Sequence, residues 1–540
     1  MRNTRNSTCL RRLSGLLVAL LLALLPVARA DDLASDLSGG FQAAVPEAEI
    51  LQADMESADC VIGYIDPGYL AVSPLACSDW DLVSVNQLVY ESVVDFDESL
   101  RPIPMLADNW VHDGKTWTFN LRSGIQFHNG YELTAYDVVR SYQTLVQAGS
   151  ANPYYGRLQM IAAMEATDIY VLTVDAKSNS LLTLYAMNFP VMQYETLYDE
   201  FPRGTGPYWY IASDEAGTVR LEANPLWWKR QPGVKSILLK RYDVAGDAIE
   251  AIRTNQIDML STTSPKASLS RKLSGLTSID YPSLTYEMLV PNLSEESSIL
   301  SDVNVRQAVM YALDRSIIAS NGYLDMGIQC EVPIVPTSWL YESQSAIYYY
   351  SPERALQLMH NAGWVDMTGN GKLNKRSGIM LREPTIRIVT YNEGTNSIRE
   401  NAANLIKEYL EAVGFNVNVS VMSQDSVRDA LRHHNYDLAL IGVNLSEVPD
   451  MSAILQTGGD LNFNRYSNEE MDQLLQRART ASDEATLEKV YSDIQMIVVR
   501  RLPILGLLFR TGTVLSSRPI GGLSGLRAYD NFNGFEFLTE

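Results

Sequence analysis

TIRIVTY (385–391) and FNVNVSVM (415–422) are rich in β-branched residues as strands are, and between them residues 397–413 carry helical periodicity closed by Gly414. A further helix over about 425–434 leads into a third strand, 436–443. Strands alternating with helices of this length predict an α/β fold with a parallel sheet and right-handed crossovers. Ligands of such a sheet sit beyond the carboxyl ends of its strands. That rule places Asn392, Glu393 and Gly394 after the first strand, and residues 444–450, with Asn444, Leu445, Glu447 and Asp450, after the third.

Working outward, the chain of 540 residues opens on a secretory signal over 1–30: four arginines precede an apolar run at 16–27, and Ala28-Arg29-Ala30 offers a cleavage site. Arg11-Arg12 fits a twin-arginine export signal poorly. Cleavage near Asp31 and release as a soluble protein is the expectation; retention as an anchor is the alternative, because the run is only slightly short of the roughly 17 to 25 residues that span a bilayer. No cysteine follows the cleavage site to accept a lipid, and no second long apolar run occurs. The formal net charge of −21 becomes −26 once the five arginines of residues 1–30 are removed, and so acidic a surface argues against nucleic acid as partner. Export permits a disulfide, and Cys60 with Cys77 is the natural local pair, but spacing leaves that pairing open; Cys330 is the third cysteine of the mature chain.

Residues 31–57 read as a tether, 60–65 as a strand and 80–94 as a helix. KTWTFNLR (115–122) alternates as a half-buried strand does, and Thr134 opens a helix with Asp137 in its first turn. Residues 301–320, SDVNVRQAVMYALDRSIIAS, read as one amphipathic helix capped by Asp302, with Arg306 and Arg315 facing away from its apolar stripe. This helix also resembles the signature helix of the extracellular solute-binding proteins of ABC transporters, the group that includes oligopeptide, dipeptide and nickel receptors. Further matches occur in family order: residues 88–110, the segment KTWTFNLRSGIQFHNGYELTAYDVVRSY, GTGPY at 204–208, 224–228, 249–258 and 462–474.

The resemblance implies a two-lobed periplasmic binding protein-like fold (type II), a Venus-flytrap with a β-rich inserted subdomain. Its implied boundaries are 58–83, 204–288 and 503–540 for lobe I, 84–203 for the insert and 289–502 for lobe II. It also implies a monomer in the periplasm or outside the cell that captures a small peptide or peptide-like solute between its lobes and delivers it to an ABC permease. In peptide-binding relatives the loop after the third strand of lobe II carries a Trp and, three residues on, an acid for the peptide ammonium. Aligned on Pro449-Asp450, this chain has Asn444 at the Trp position and Glu447 at the acid position, so the acid is kept and the aromatic wall is not.

Glu447 is therefore the first candidate ligand-binding residue, with Asn444, Leu445, Asp450, Asn392 and Glu393 beside it. Trp339, in a segment resembling the family's cleft lining, and Tyr69, in a loop that departs from the family pattern, complete the set. No cofactor or metal is expected: the calcium-like run from Asp366 has Ser377 where the twelfth ligand should be, and His433-His434 lacks a zinc-site context. Trp227-Trp228 reads as packing rather than a sugar platform. No nucleophile elbow or metal-hydrolase motif supports an enzyme. A sensor or scaffold that keeps the fold without transport is the alternative to a transport receptor, and a peptidase-like hydrolase is a second alternative without motifs.

Overall fold

The computed structural model describes residues 55–65, 74–75, 80–199, 201–294, 298–394, 396–528 and 530–538. The expected signal, Tyr69 and Cys77 lie outside them. An eleven-stranded sheet organises the described chain. From one edge it runs Asn416–Met422, Thr385–Tyr391, Leu438–Asn444, Thr277–Pro291, Leu505–Ser516, Met259–Thr262, Cys60–Ile65, Ser236–Tyr242, Val219–Ala223 and Tyr208–Ser213, with Gly327–Gln329 also pairing to Leu505–Ser516. The stretch that decided the fold behaves as read: Thr385–Tyr391 is parallel to both Asn416–Met422 and Leu438–Asn444, and helices Ile398–Ala412 and Gln424–Arg432 make the connections.

Two long antiparallel strands, Thr277–Pro291 and Leu505–Ser516, carry this sheet through both halves of the molecule. Tyr281 and Val514 pack into one large apolar core, Tyr286 and Phe509 into the other. Between them the register slips from Pro282 to Tyr286, an irregularity that bends a strand pair. The change of core thus falls inside continuous strands, a few residues from the expected lobe limits at 288 and 503. A four-stranded sheet, Ala107–Asp113, Thr116–Leu121, Val171–Ala176 and Ile161–Asp168, lies within the expected insert. Its alternation puts Trp117 and Phe119 in the core, and Asp137 accepts the Thr134 N–H (3.0 Å) at the start of helix Ala135–Ala148.

Two local expectations need correction. The helix expected over 80–94 stops at Gln87, because the backbone beyond it pairs with the GTGPY segment: Gly206 N–H donates to Val89 O (3.0 Å) and Tyr208 N–H to Leu88 O (2.9 Å). A Cβ at Gly204 would sit 2.1 Å from Val89 O, so only glycine allows this approach. The helix expected over 301–320 runs from Val303 to Ala312, breaks at Leu313, and restarts as Arg315–Ile317 with Asp314 as its cap. Asp302 caps the first piece as read, accepting Asn304 N–H at 2.8 Å. Arg306 and Arg315 do not face solvent but are buried. Arg306 donates to the carbonyls of Leu300, Ser301 and Arg501, and Arg315 pairs with Glu331 at 2.6 Å. Periodicity marks the apolar stripe but not a guanidinium that finds carbonyls at the end of a neighbouring helix.

One buried ion pair ties helix Ile398–Ala412 to the crossing strands. Glu287, on Thr277–Pro291, is wholly buried and accepts Arg399 Nε and Nη2 at 2.9 and 2.8 Å and Tyr323 Oη at 3.1 Å. A bidentate guanidinium satisfies both carboxylate oxygens in one geometry. Arg399→Met, which leaves Glu287 buried without a countercharge, is expected to lower stability by about 3–5 kcal/mol in chemical denaturation, and Glu287→Met/Arg399→Met to recover most of that loss.

Candidate functional site

Glu447 lies in the loop that follows strand Leu438–Asn444. The loop is pinned at its start by Leu445 N–H donating to Leu284 O (2.9 Å) and further on by Tyr491 Oη donating to Pro449 O. The Glu447 side chain is 6% exposed, and its ion-pair partner is Arg157, with Nη1 3.6 Å from Oε2. That is longer than a charge-assisted hydrogen bond, which closes to about 2.7–2.9 Å. Burial raises the Glu447 pKa above the ordinary carboxylate range, and the pull of Arg157, of the residue's own backbone N–H and, more weakly, of Arg527 does not bring it back. Glu447 is thus a buried acid whose charge is only loosely answered.

Arg157 comes from the short helical turn Tyr155–Leu158, in the expected insert. It lies over the Tyr154 ring (4.9 Å) and reaches Asn188 Oδ1 at 3.4 Å. Asn188 in turn packs with Asn86, Tyr90, Glu91, Tyr154 and Phe189 around a crevice too tight to admit a water molecule. Asn86 is buried there with neither its amide nitrogen nor its oxygen bonded. Arg157 thus stands between Glu447 and Asn188, with the unbonded Asn86 amide beyond Asn188. Arg527 adds further charge, bridging Asp95 and Asp530 at 3.1 Å each.

The other described sequence candidates have most of their polar groups engaged within the chain. Glu393 is held by Arg510 (3.0 Å) and lies 2.7 Å from Arg399 Nη1, a contact outside hydrogen-bond alignment. Burial alone would raise its pKa; Arg510 and then Arg399 bring it below the ordinary range. Asn444 is exposed and accepts Thr285 Oγ1 (2.8 Å), Asp450 accepts Ser452 N–H (2.9 Å), and Asn392 donates to Glu400 (2.8 Å) while its oxygen stays buried and unbonded. Trp339 joins the two sides: its indole N–H donates to Tyr185 Oη (3.0 Å), its backbone N–H to Ser99 O (2.9 Å), and Arg101 covers its ring at 4.4 Å. Arg101 also pairs with Glu484 and Glu488. These contacts draw the insert against the second core.

Arg157, Asn188 and Asn86 were not singled out from the sequence. The one available signal was Arg157 itself, a lone cation in the largely apolar run YYGRLQMIAAM. Trp227 and Trp228 both donate their indole N–H to the buried Glu91 (3.2 and 2.8 Å), which also accepts Thr205 Oγ1 (2.8 Å). Asp366 is spent on backbone N–H groups, 2.7 Å from Gly369 and 2.8 Å from Gly371. Among the described residues no group of three or more His, Cys, Asp and Glu side chains is placed to hold a metal. Cys60 is a buried free thiol whose pKa burial pushes up to about 12.

Comparison with known proteins bears on the fold. The oligopeptide-binding protein AppA of Bacillus subtilis is 25% identical over 525 residues, covering 92% of this chain and 93% of that protein. Heme-binding protein A of Haemophilus influenzae is 24% identical over 500 residues, covering 83% and 87%. In three dimensions, a nickel ABC transporter protein from Bacillus halodurans superposes with a TM-score of 0.74 at 20% identity, covering 89% of this chain and 99% of that one. The Bacillus subtilis AppA structure with a bound nonapeptide gives 0.61 at 22%, covering 88% and 97%. The model of the bacterial extracellular solute-binding proteins, family 5 Middle, matches residues 101–464. With the same two-lobed α/β architecture and a match over most of its length, the chain belongs to the bacterial extracellular solute-binding proteins of family 5.

Proposed function

We propose that this protein is the exported substrate-binding component of an ABC transporter, and that it captures a peptide or peptide-like solute with a free ammonium in the cleft where Glu447 faces Arg157. The observation that carries this reading is the buried Glu447 carboxylate, whose ion-pair partner is a guanidinium 3.6 Å away. A ligand ammonium answers that charge at hydrogen-bond distance, which Arg157 does not. Arg157 and Asn188 then face the rest of the ligand, its peptide carbonyls or carboxylate, with the unbonded Asn86 amide further along. The exposed Asn444, at the position where peptide-binding relatives carry Trp, leaves the ligand's first side chain without an aromatic wall, which favours a cargo recognised by its polar ends. Membership of the family and the signal-like composition of residues 1–30 support delivery to a membrane permease. Among the described residues no helix is long and apolar enough to cross a membrane.

The test is to identify the bound solute by native mass spectrometry of protein from its own host and then titrate it calorimetrically. Glu447→Gln is expected to weaken an ammonium-bearing ligand by roughly 10- to 100-fold and to leave an N-acetylated analogue unchanged. Equal binding of the free and acetylated forms by the wild type removes the role assigned to Glu447. The pH dependence has a definite sign. Because the Glu447 pKa in the free protein is raised, acidification protonates it at a pH above the ordinary range for glutamate, while the ammonium needs the ionised form. Affinity should fall as pH is lowered through that raised pKa, with proton release on binding in the same window, and Glu447→Gln should lose both effects.

A further inference from the structure

A small hairpin stands outside both cores. Lys375–Ser377 pairs with Met380–Arg382 through a turn at Gly378 and Ile379, and every residue of both strands is exposed. Ile379 at the tip is 101% exposed, Met380 68% and Leu381 45%. The base is firmly seated, with Leu373, Asn374 and Pro384 buried on either side.

The hairpin breaks two local rules. Apolar side chains gather at its most exposed point, and Lys375 stands directly opposite Arg382, a like-charge pair that destabilises a two-stranded ribbon. Lys375 turns its ammonium to Ala362 O (2.8 Å), but Arg376 and Arg382 have no acidic partner within 4 Å among the described residues, in a chain whose net charge is −21. An apolar tip with unanswered cations about two residues behind it fits a medium that is anionic at its surface and apolar beneath. Two residues of strand span roughly 7 Å, and interfacial elements bury their apolar face about 5–10 Å below the headgroups. Three apolar side chains are too few for a protein interface, which needs about 1,000 Å².

We propose that this hairpin is a membrane-surface contact that seats Ile379 and Met380 in the interface of an anionic bilayer, with Arg376 and Arg382 at the lipid phosphates. The acidic remainder of the surface is repelled, so the contact orients the protein with this edge towards the membrane. The inference rests on the hairpin alone and not on the ligand-binding reading.

The test is flotation of the full chain with vesicles of phosphatidylcholine alone or mixed with phosphatidylglycerol, at low and high salt. The expected result is association with the phosphatidylglycerol vesicles that weakens with salt. Arg376→Gln/Arg382→Gln should reduce it about 10- to 30-fold, and Ile379→Ser/Met380→Ser about tenfold. All four side chains are exposed, so thermal melts of both variants should match the wild type. Three results would each overturn the proposal: no association, equal association with neutral vesicles, or variants that float like the wild type, which assigns the contact to another part of the chain such as residues 1–30.

Discussion

The two strands Thr277–Pro291 and Leu505–Ser516 are the constraint on which the rest of the molecule depends. Each is long enough to belong to both cores, and each pairs with the other along nearly its full length, apart from the slip between Pro282 and Tyr286. Because the two strands pair on both sides of the change of core, the two halves share one sheet. Bending is then confined to the short irregular stretch. Glu287 sits just beyond that stretch, and its bidentate bond to Arg399 fixes helix Ile398–Ala412 against the strand that crosses.

Two acids placed by the same rule, beyond the carboxyl ends of parallel strands, meet opposite fates. Glu393 faces Arg510 on one crossing strand and Arg399 beside the other, so its charge is fully answered within the chain. Glu447 has Arg157 as its ion-pair partner, at a distance that leaves the charge poorly met. A fully paired acid contributes to architecture, whereas a buried, poorly paired one retains free energy that a ligand can recover. The exposed hairpin at 375–382 is the same kind of imbalance on the surface: cations and apolar groups kept where water gains nothing from them.

Local structure was legible where neighbours in sequence suffice. Strands 60–65 and 385–391, the alternation around Trp117 and the caps at Asp302 and Thr134 needed only periodicity and short-range hydrogen bonding. The helix end at Gln87 was not legible, because its competing partner, the Gly204–Gly206 backbone, is distant in the chain; the break at Leu313 has a local mark, Asp314 capping the N–H groups of Ser316 and Ile317, which the continuous apolar periodicity of the segment hides. Arg306 and Arg315 were misplaced for the same reason: a long cationic side chain is read as solvated until the carbonyls or the carboxylate it meets are known.

For the site, the sequence by itself determined which loops stand beyond the strand ends, because strand order follows from short connections and fixed crossover handedness, and that Glu447 lies in one of them. Only the tertiary structure decided which acid is answered and which is not. Arg157 and Glu447 are separated by nearly 300 positions in the chain, and the sign and strength of an electrostatic contact depend on distance and burial, neither of which is encoded in local sequence.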